Sequence, residues 1–149
     1  MNIVKYKGEF ETEGKGYLVM EYIDGMSLGQ LLKFKKSERG ARGESDRLDL
    51  ESVSLQLIQS VYCLHAHSII HWDINPTNIM VDSTGTLSLI DFGFALFSTS
   101  NYFSNPLNKK HKEFVGTLNY TAPEVINRRE CDSRMDIWSL GCVLFELLY

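Results

Sequence analysis

Residues 71–80 read H-W-D-I-N-P-T-N-I-M, and L-I-D-F-G follows at 89–93. Asp73 and Asn78 flank a proline, Asp91 stands two residues before Gly93, and A-P-E occupies 122–124. Each short motif alone is weak, because a stray D-F-G or A-P-E arises by chance or from core packing. In this fixed order the three form a strong signal, and the rest of the chain can be organised around them.

The chemistry that needs these residue types together is phosphoryl transfer. Clustered negative groups must be held and neutralised while a hydroxyl attacks in line. A carboxylate beside that hydroxyl orients it and accepts its proton, and Asp73 is the candidate. Metal ions at such a site take oxygen ligands with a hard carboxylate among them, a role suited to Asp91 with the neutral amide oxygen of Asn78. Two plainer readings stand beside this one. Asp73 and Asn78 could be an Asx pair capping loop backbone, and Asp91 an ordinary turn aspartate. His71 reads as a packed, hydrogen-bonded core histidine rather than a base or metal ligand.

Outward from this stretch, I-M-V-D and T-L-S-L-I flank the turn S-T-G and predict a small hairpin. Upstream, Leu50, Val53, Leu57, Val61 and Leu64 recur at intervals of 3, 4, 4 and 3, one stripe of an amphipathic helix. Residues 3–10 and 17–23 are β-branched and aromatic runs either side of E-T-E-G-K-G, and predict a strand pair. From Ser27, S-L-G-Q-L-L-K-F predicts a short helix, and 35–46 a surface connection. Downstream, 98–112 reads as a polar loop. The final M-D-I-W-S-L-G-C-V-L-F-E-L-L-Y is helix-like and apolar on nearly every side, the mark of a helix surrounded by protein.

Composition bounds the partners. The 149 residues are 44% hydrophobic with a net charge of −4, enough for one domain or part of a larger one. The acidic balance argues against a nucleic-acid partner, since phosphate backbones reward a basic surface. The basic cluster Lys109-Lys110-His111-Lys112 reads as a solvated loop. Three widely spaced cysteines, Cys63, Cys131 and Cys142, make neither a zinc set nor a disulfide framework. The N-terminus lacks a signal-peptide core, and no run reaches the roughly 20 apolar residues of a span. The expectation is a soluble, intracellular protein, cytoplasmic or nuclear, with no membrane partner.

Five ordered segments, Y-L-V-M-E-Y-I-D-G-M-S-L, I-I-H-W-D-I-N-P-T-N-I-M-V-D, L-I-D-F-G, G-T-L-N-Y-T-A-P-E and D-I-W-S-L-G, closely resemble the eukaryotic protein kinases over nearly the whole chain. The resemblance implies an α+β, protein kinase-like fold, in part. Residues 1–23 would form the end of the smaller lobe and the hinge, and 24–149 the larger lobe up to the helix after A-P-E. It implies ATP and Mg2+ as cofactors and a protein with a serine or threonine acceptor as substrate. Glu21 and Ile23 would lie on the hinge that holds adenine, Met20 would be the gatekeeper, and Met80 would pack beneath the base. Asp73 would be the catalytic base, and Asn78 and Asp91 the metal ligands. Phe92 and His71 would stack in a spine, with Tyr6 above and Asp136 anchoring below. The G-T-L-N-Y-T-A-P-E version looks like the serine/threonine branch, with Thr117 supporting Asp73 and the acceptor.

The chain departs from that family at two positions inside the opening stretch. Trp72 stands where an arginine usually receives an activation-loop phosphate, and no Ser, Thr or Tyr lies between Asn105 and Gly116. Both point to an enzyme not switched by phosphorylation there. Asn75 replaces a lysine that touches the transferring phosphate, and losing such a charge commonly costs on the order of a hundredfold in rate. The G-x-G-x-x-G loop, the V-A-I-K lysine and the arginine partner of Glu124 are not in this sequence. The chain is therefore expected to be part of a serine/threonine kinase, with magnesium-dependent ATP binding weak or absent in the chain by itself. A degenerate kinase-like binding module and a gene remnant are the other readings. The apolar faces of Trp138, Leu140, Val143, Leu144 and Leu147 are expected to lie exposed unless a partner covers them.

Overall fold

The computed structural model describes residues 2–37, 49–98, 117–127 and 131–149. Most of the expected connection 35–46, the loop beyond Ser98, the Lys109–Lys112 cluster and the window between Asn105 and Gly116 lie outside them.

β1 (Tyr6–Thr12) and β2 (Lys15–Met20) form an antiparallel hairpin. Its turn is only Glu13-Gly14, with φ of 53° and 70°, as a two-residue hairpin turn of the primed type requires. The turn expected over 11–16 is thus shorter, because twist-matched pairing continues to Thr12 opposite Lys15. Phe10 and Tyr17 face each other across the strands with rings stacked at 4.9 Å.

The expected strand 3–10 is divided between two partners. Ile3 bridges Leu89 in parallel, with Leu89 N donating to the Asn2 carbonyl at 2.9 Å and Val4 N to the Leu89 carbonyl at 3.0 Å. The Asn2 amide donates to the Leu87 carbonyl, and Ser60 Oγ donates to the Asn2 carbonyl. A local apolar pattern cannot report a partner more than eighty residues away, which is why this division was not visible in the sequence.

β3 (Gly25–Ser27), β5 (Ile79–Asp82) and β6 (Leu87–Leu89) form an antiparallel sheet in the order β3-β5-β6. β4 (Ile69–Ile70) pairs with β7 (Leu96–Phe97). The hairpin expected over 79–90 is present, its turn held by Asp82 Oδ1, which accepts from Thr84 N and Thr86 N. β3 was not expected, since three residues carry no periodicity. Gly25 permits it: a Cβ there would stand 2.1 Å from the Val81 carbonyl oxygen.

Helix α1 (Leu28–Ser37) begins at a reciprocal cap, with Gln30 N donating to Ser27 Oγ and Ser27 N to Gln30 Oε1. It takes in the first residues of the stretch expected as a connection. Helix α2 (Leu50–Ala66) is capped by Asp49, whose side chain accepts from Ser52 N. Its stripe Val53, Leu57, Val61 and Leu64 is buried, and Leu50 packs at the edge. After the short α3 (Pro123–Ile126), α4 (Arg134–Leu148) lies against α2.

One apolar core joins α1, α2, β5, β6 and α4, with Leu28, Leu57, Ile74, Ile79, Leu87, Leu89 and Val143 fully buried. Here the expectation for α4 is corrected. Leu140, Val143 and Leu147 form the stripe that enters this core, and Leu144 packs partly against it. Of the five residues expected to be bare, only Trp138 is exposed, at 49%, beside Ile137, Phe145, Leu148 and Tyr149. Spacings of three and four residues put 140, 143 and 147 on one face, which a helix apolar all round conceals from sequence inspection.

Candidate catalytic site

The loop 71–78 leaves β4 and enters β5 through a 3₁₀ turn, Pro76–Asn78. The anchor of its first residues is Asp136 in the first turn of α4, which is 1% exposed. Its two carboxylate oxygens accept from His71 N and Trp72 N, each at 2.9 Å, and Oδ2 also pairs with His65 Nε2 at 2.9 Å. Trp72 has φ of 73°, a genuine departure for a bulky residue that costs about 1–3 kcal/mol. Two N–H bonds to a carboxylate, about 1.5–3 kcal/mol each, offset that cost and fix the backbone just before Asp73.

His71 is fully buried. Its Nε2 lies 3.1 Å from the Ile90 carbonyl, which can only accept, and Asp73 N donates to its Nδ1 at 3.3 Å. These partners select the neutral tautomer with the proton on Nε2. Burial, the largest influence, lowers its pKa below the ordinary 6.5 against the opposing charge of Asp136. The ring meets Phe92 edge to face at 4.9 Å, so histidine ties the 71–78 loop to the 90–93 segment. The core-histidine reading fits these bonds. Tyr6 sits on β1 with 60% of its surface exposed.

Asp73 joins its own loop to the segment that begins at Thr117. Its Oδ1 accepts from Thr117 N at 3.0 Å and from Thr117 Oγ1 at 3.2 Å. Its Oδ2 accepts from Asn78 Nδ2 at 2.9 Å, and the same amide donates to the Asp73 carbonyl. A carboxylate offers about four lone-pair sites. Oδ1 thus holds two donors, and Oδ2 holds one with acceptor capacity remaining.

Both N–H bonds of the Asn78 amide go to Asp73, which leaves its oxygen as the atom able to meet a metal. Asp91 is exposed, has φ of 60°, and accepts from Gly93 N at 3.1 Å through Oδ1. Ile90 N donates to the Asn78 carbonyl, drawing the two segments together. An amide oxygen and an exposed carboxylate suit a hard cation that takes its remaining ligands from water and phosphate. Among the described residues, no three His, Cys, Asp or Glu side chains cluster as a metal cage.

Asn75 is placed differently from a residue that reaches toward phosphate. It is 1% exposed, and its Oδ1 accepts from Thr77 N at 2.9 Å and Thr77 Oγ1 at 2.5 Å, while Nδ2 donates to the Asp73 carbonyl. It caps the 3₁₀ turn. Met20 ends β2 with 43% exposure, and Met80 lies on β5, half-buried. Glu21 and Ile23 are half-buried in the irregular segment before β3. Glu21 N donates to the Lys5 carbonyl, and its side chain accepts from Lys5 N.

Two contributors were missed by the sequence reading. His65 lies off the apolar stripe of α2, and only its place in the last turn facing Asp136 gives it a role. Tyr120 donates to Glu146 Oε2 at 2.5 Å, with burial as the main influence raising its pKa, and Ser139 Oγ donates to the Tyr120 carbonyl. These bonds fix the 118–120 turn on α4. A groove of about 1010 Å3 runs along the outer face of α4, between Tyr120, Glu124, Trp138 and Phe145, and none of the 71–93 residues lines it.

Small sheets and helices around a loop with this Asp-Asn-Thr constellation define a kinase-like α+β unit. The family model for the protein kinase domain matches residues 1–149. Serine/threonine-protein kinase PKH2 of Saccharomyces cerevisiae is 35% identical over 152 residues, covering 99% of this chain and 13% of that protein. Serine/threonine-protein kinase Nek1 of Mus musculus is 34% identical over 146 residues, with 98% and 11% covered. The Aurora kinase of Saccharomyces cerevisiae is 31% identical over 147 residues, with 99% and 36% covered. The chain thus spans a minor part of the length of these relatives. It belongs to the protein kinase domain family.

Proposed function

We propose that this chain carries the catalytic loop of a serine/threonine protein kinase, transferring a phosphoryl group from ATP to a protein hydroxyl with Mg2+. The observation that carries the reading is the state of Asp73. Thr117 and Asn78 hold its carboxylate from two sides and leave acceptor capacity on Oδ2.

In this reading Asp73 orients the acceptor hydroxyl and takes its proton as general base. Thr117, through its N–H and hydroxyl, fixes the carboxylate plane and borders the place where the acceptor lies. Asn78, through its oxygen, and Asp91 would hold Mg2+, which when bound neutralises the phosphate charge. Met20, Glu21, Ile23 and Met80 would border the adenine. His71, neutral and buried, transmits the position of Phe92 to the loop without itself moving a proton. The substrate is a protein with a Ser or Thr acceptor, and the setting is intracellular, cytoplasmic or nuclear. Among the described residues no helix is long and apolar enough to cross a membrane.

One observation favours a second reading, a kinase-like binding module: the Asn75 carboxamide brings no positive charge and is committed to the loop. The test is Asp73→Asn in the protein expressed from its complete reading frame. Turnover is expected to fall by a factor on the order of 10²–10⁴, with Mg-dependent nucleotide affinity unchanged. A parent protein that binds a protein partner but neither nucleotide nor phosphorylates a peptide establishes the second reading instead.

A further inference from the structure

Outside the main core lies a second apolar cluster formed by Ile70, Trp72, Leu96, Ala122, Cys131 and Met135, with Val125 packed on it. Its members come from β4 and the loop after it, β7, the start of α3 and the residues leading into and opening α4; β4 and α4 also reach the main core, through Ile69 and through Leu140, Val143 and Leu147. Trp72 is its largest member, 9% exposed, on a backbone held at positive φ by Asp136.

The cluster bears on the site from both sides. Trp72 immediately precedes Asp73. Ala122 and Val125 immediately follow the turn that starts at Thr117, the residue whose N–H and hydroxyl both reach Asp73. Within that turn Tyr120 N donates to the Thr117 carbonyl, and Thr121 Oγ1 donates to the same carbonyl. The Asp73–Thr117 contact, one backbone N–H bond and one hydroxyl bond to the same carboxylate oxygen, is itself solvent-exposed, and exposed polar contacts hold a segment weakly. Burial of an indole between the two segments is non-directional and far larger in area.

We propose that Trp72 is a positioning residue, an apolar clasp that holds the 117–126 segment so that Thr117 stays on Asp73, with no phosphate needed to keep it there. Trp72 touches neither acceptor nor nucleotide in this role and acts through Thr117. The proposal rests on the assignment of Asp73 as the base, but its central test does not require activity.

That test is amide hydrogen exchange on the 149-residue chain, comparing the parent with Trp72→Ala, Trp72→Leu and Trp72→Phe, before and after treatment with a protein phosphatase. Exchange over 117–127 is expected to quicken by roughly tenfold or more in Trp72→Ala and Trp72→Leu, to stay near the parent in Trp72→Phe, and to be indifferent to phosphatase, while α2 amides hold their rates. If Trp72→Ala does not fold, Trp72→Leu against Trp72→Phe gives the same reading. Unchanged exchange at 117–127, an equal rise throughout α2, or a loss of protection caused by phosphatase overturns the clasp. In the active protein from the complete reading frame, Trp72→Leu is expected to lower kcat with KM for ATP retained, and Trp72→Phe to restore kcat. An inactive parent would count against the kinase reading alone and leave the exchange result standing.

Discussion

Asn75 illustrates how one side chain can be committed wholly to its own loop. Its oxygen takes two bonds from Thr77 and its nitrogen gives one to the Asp73 carbonyl. Lysine can make none of the accepting bonds, yet its ammonium can extend from the loop toward a developing phosphate charge. Asn75→Lys is therefore expected to lower stability by about 1 kcal/mol, the usual worth of a lost cap, and to raise kcat. Denaturant unfolding and steady-state kinetics on the same variant check both halves. A variant as stable as the parent would mean that the Thr77 bonds carry no weight, and an unchanged kcat that no phosphate approaches this position. The grouping of 73, 78 and 117 was legible in the sequence through the ordered motifs, and the structure brings the three side chains together. The burial of Asn75 was not, since an asparagine after Ile74 reads equally well as a capping or a reaching residue.

At the scale of elements, the 71–78 loop is braced by two short sheets whose strands are two to four residues long. Such strands persist only where neighbours force them. β3 depends on the close approach of Gly25 to the Val81 carbonyl, with Gly25 opposite Asp82. Gly25→Ala is expected to push β3 from β5 and destabilise the chain by about 1–3 kcal/mol, the range for overpacking. The amides of β5 should lose exchange protection first; protection equal to the parent throughout β5 would show that the strand accommodates the methyl group. α2 was readable from its apolar stripe and α4 from its apolar run, and their interiors match the expected spans. The two-residue β7 was not, because period-two alternation needs more than two residues to register.

For the whole molecule, apolar surface remains on two opposite kinds of element. The β1–β2 ribbon shows Tyr6, Phe10, Tyr17 and Leu18 to solvent, and α4 shows Ile137, Trp138, Phe145 and Leu148. Contiguous exposed apolar surface drives association. The 149-residue chain alone is expected to self-associate at micromolar concentration, and the double variant Trp138→Glu, Phe145→Glu to shift toward monomer with its helix content kept. Light scattering coupled to size exclusion reads this, with circular dichroism as the control for folding. A monomeric parent would rule out the exposed α4 face as an association surface.

The sequence by itself determined the ordered motifs, the α+β class and the α2 stripe, because these rest on local periodicity and on residue types at single positions. Only the tertiary structure decided which partners those residues meet. Asp136 reaches the backbone of His71 and Trp72 across more than sixty positions, Thr117 reaches Asp73 across 44, and Asn2 is bonded to β6 rather than to the hairpin that follows it. It also chose the face of α4 that enters the core. Local patterns record which side chains can be buried or bonded; the choice among distant partners is made by packing and by the need to satisfy every buried polar group, and neither quantity exists until the chain has folded.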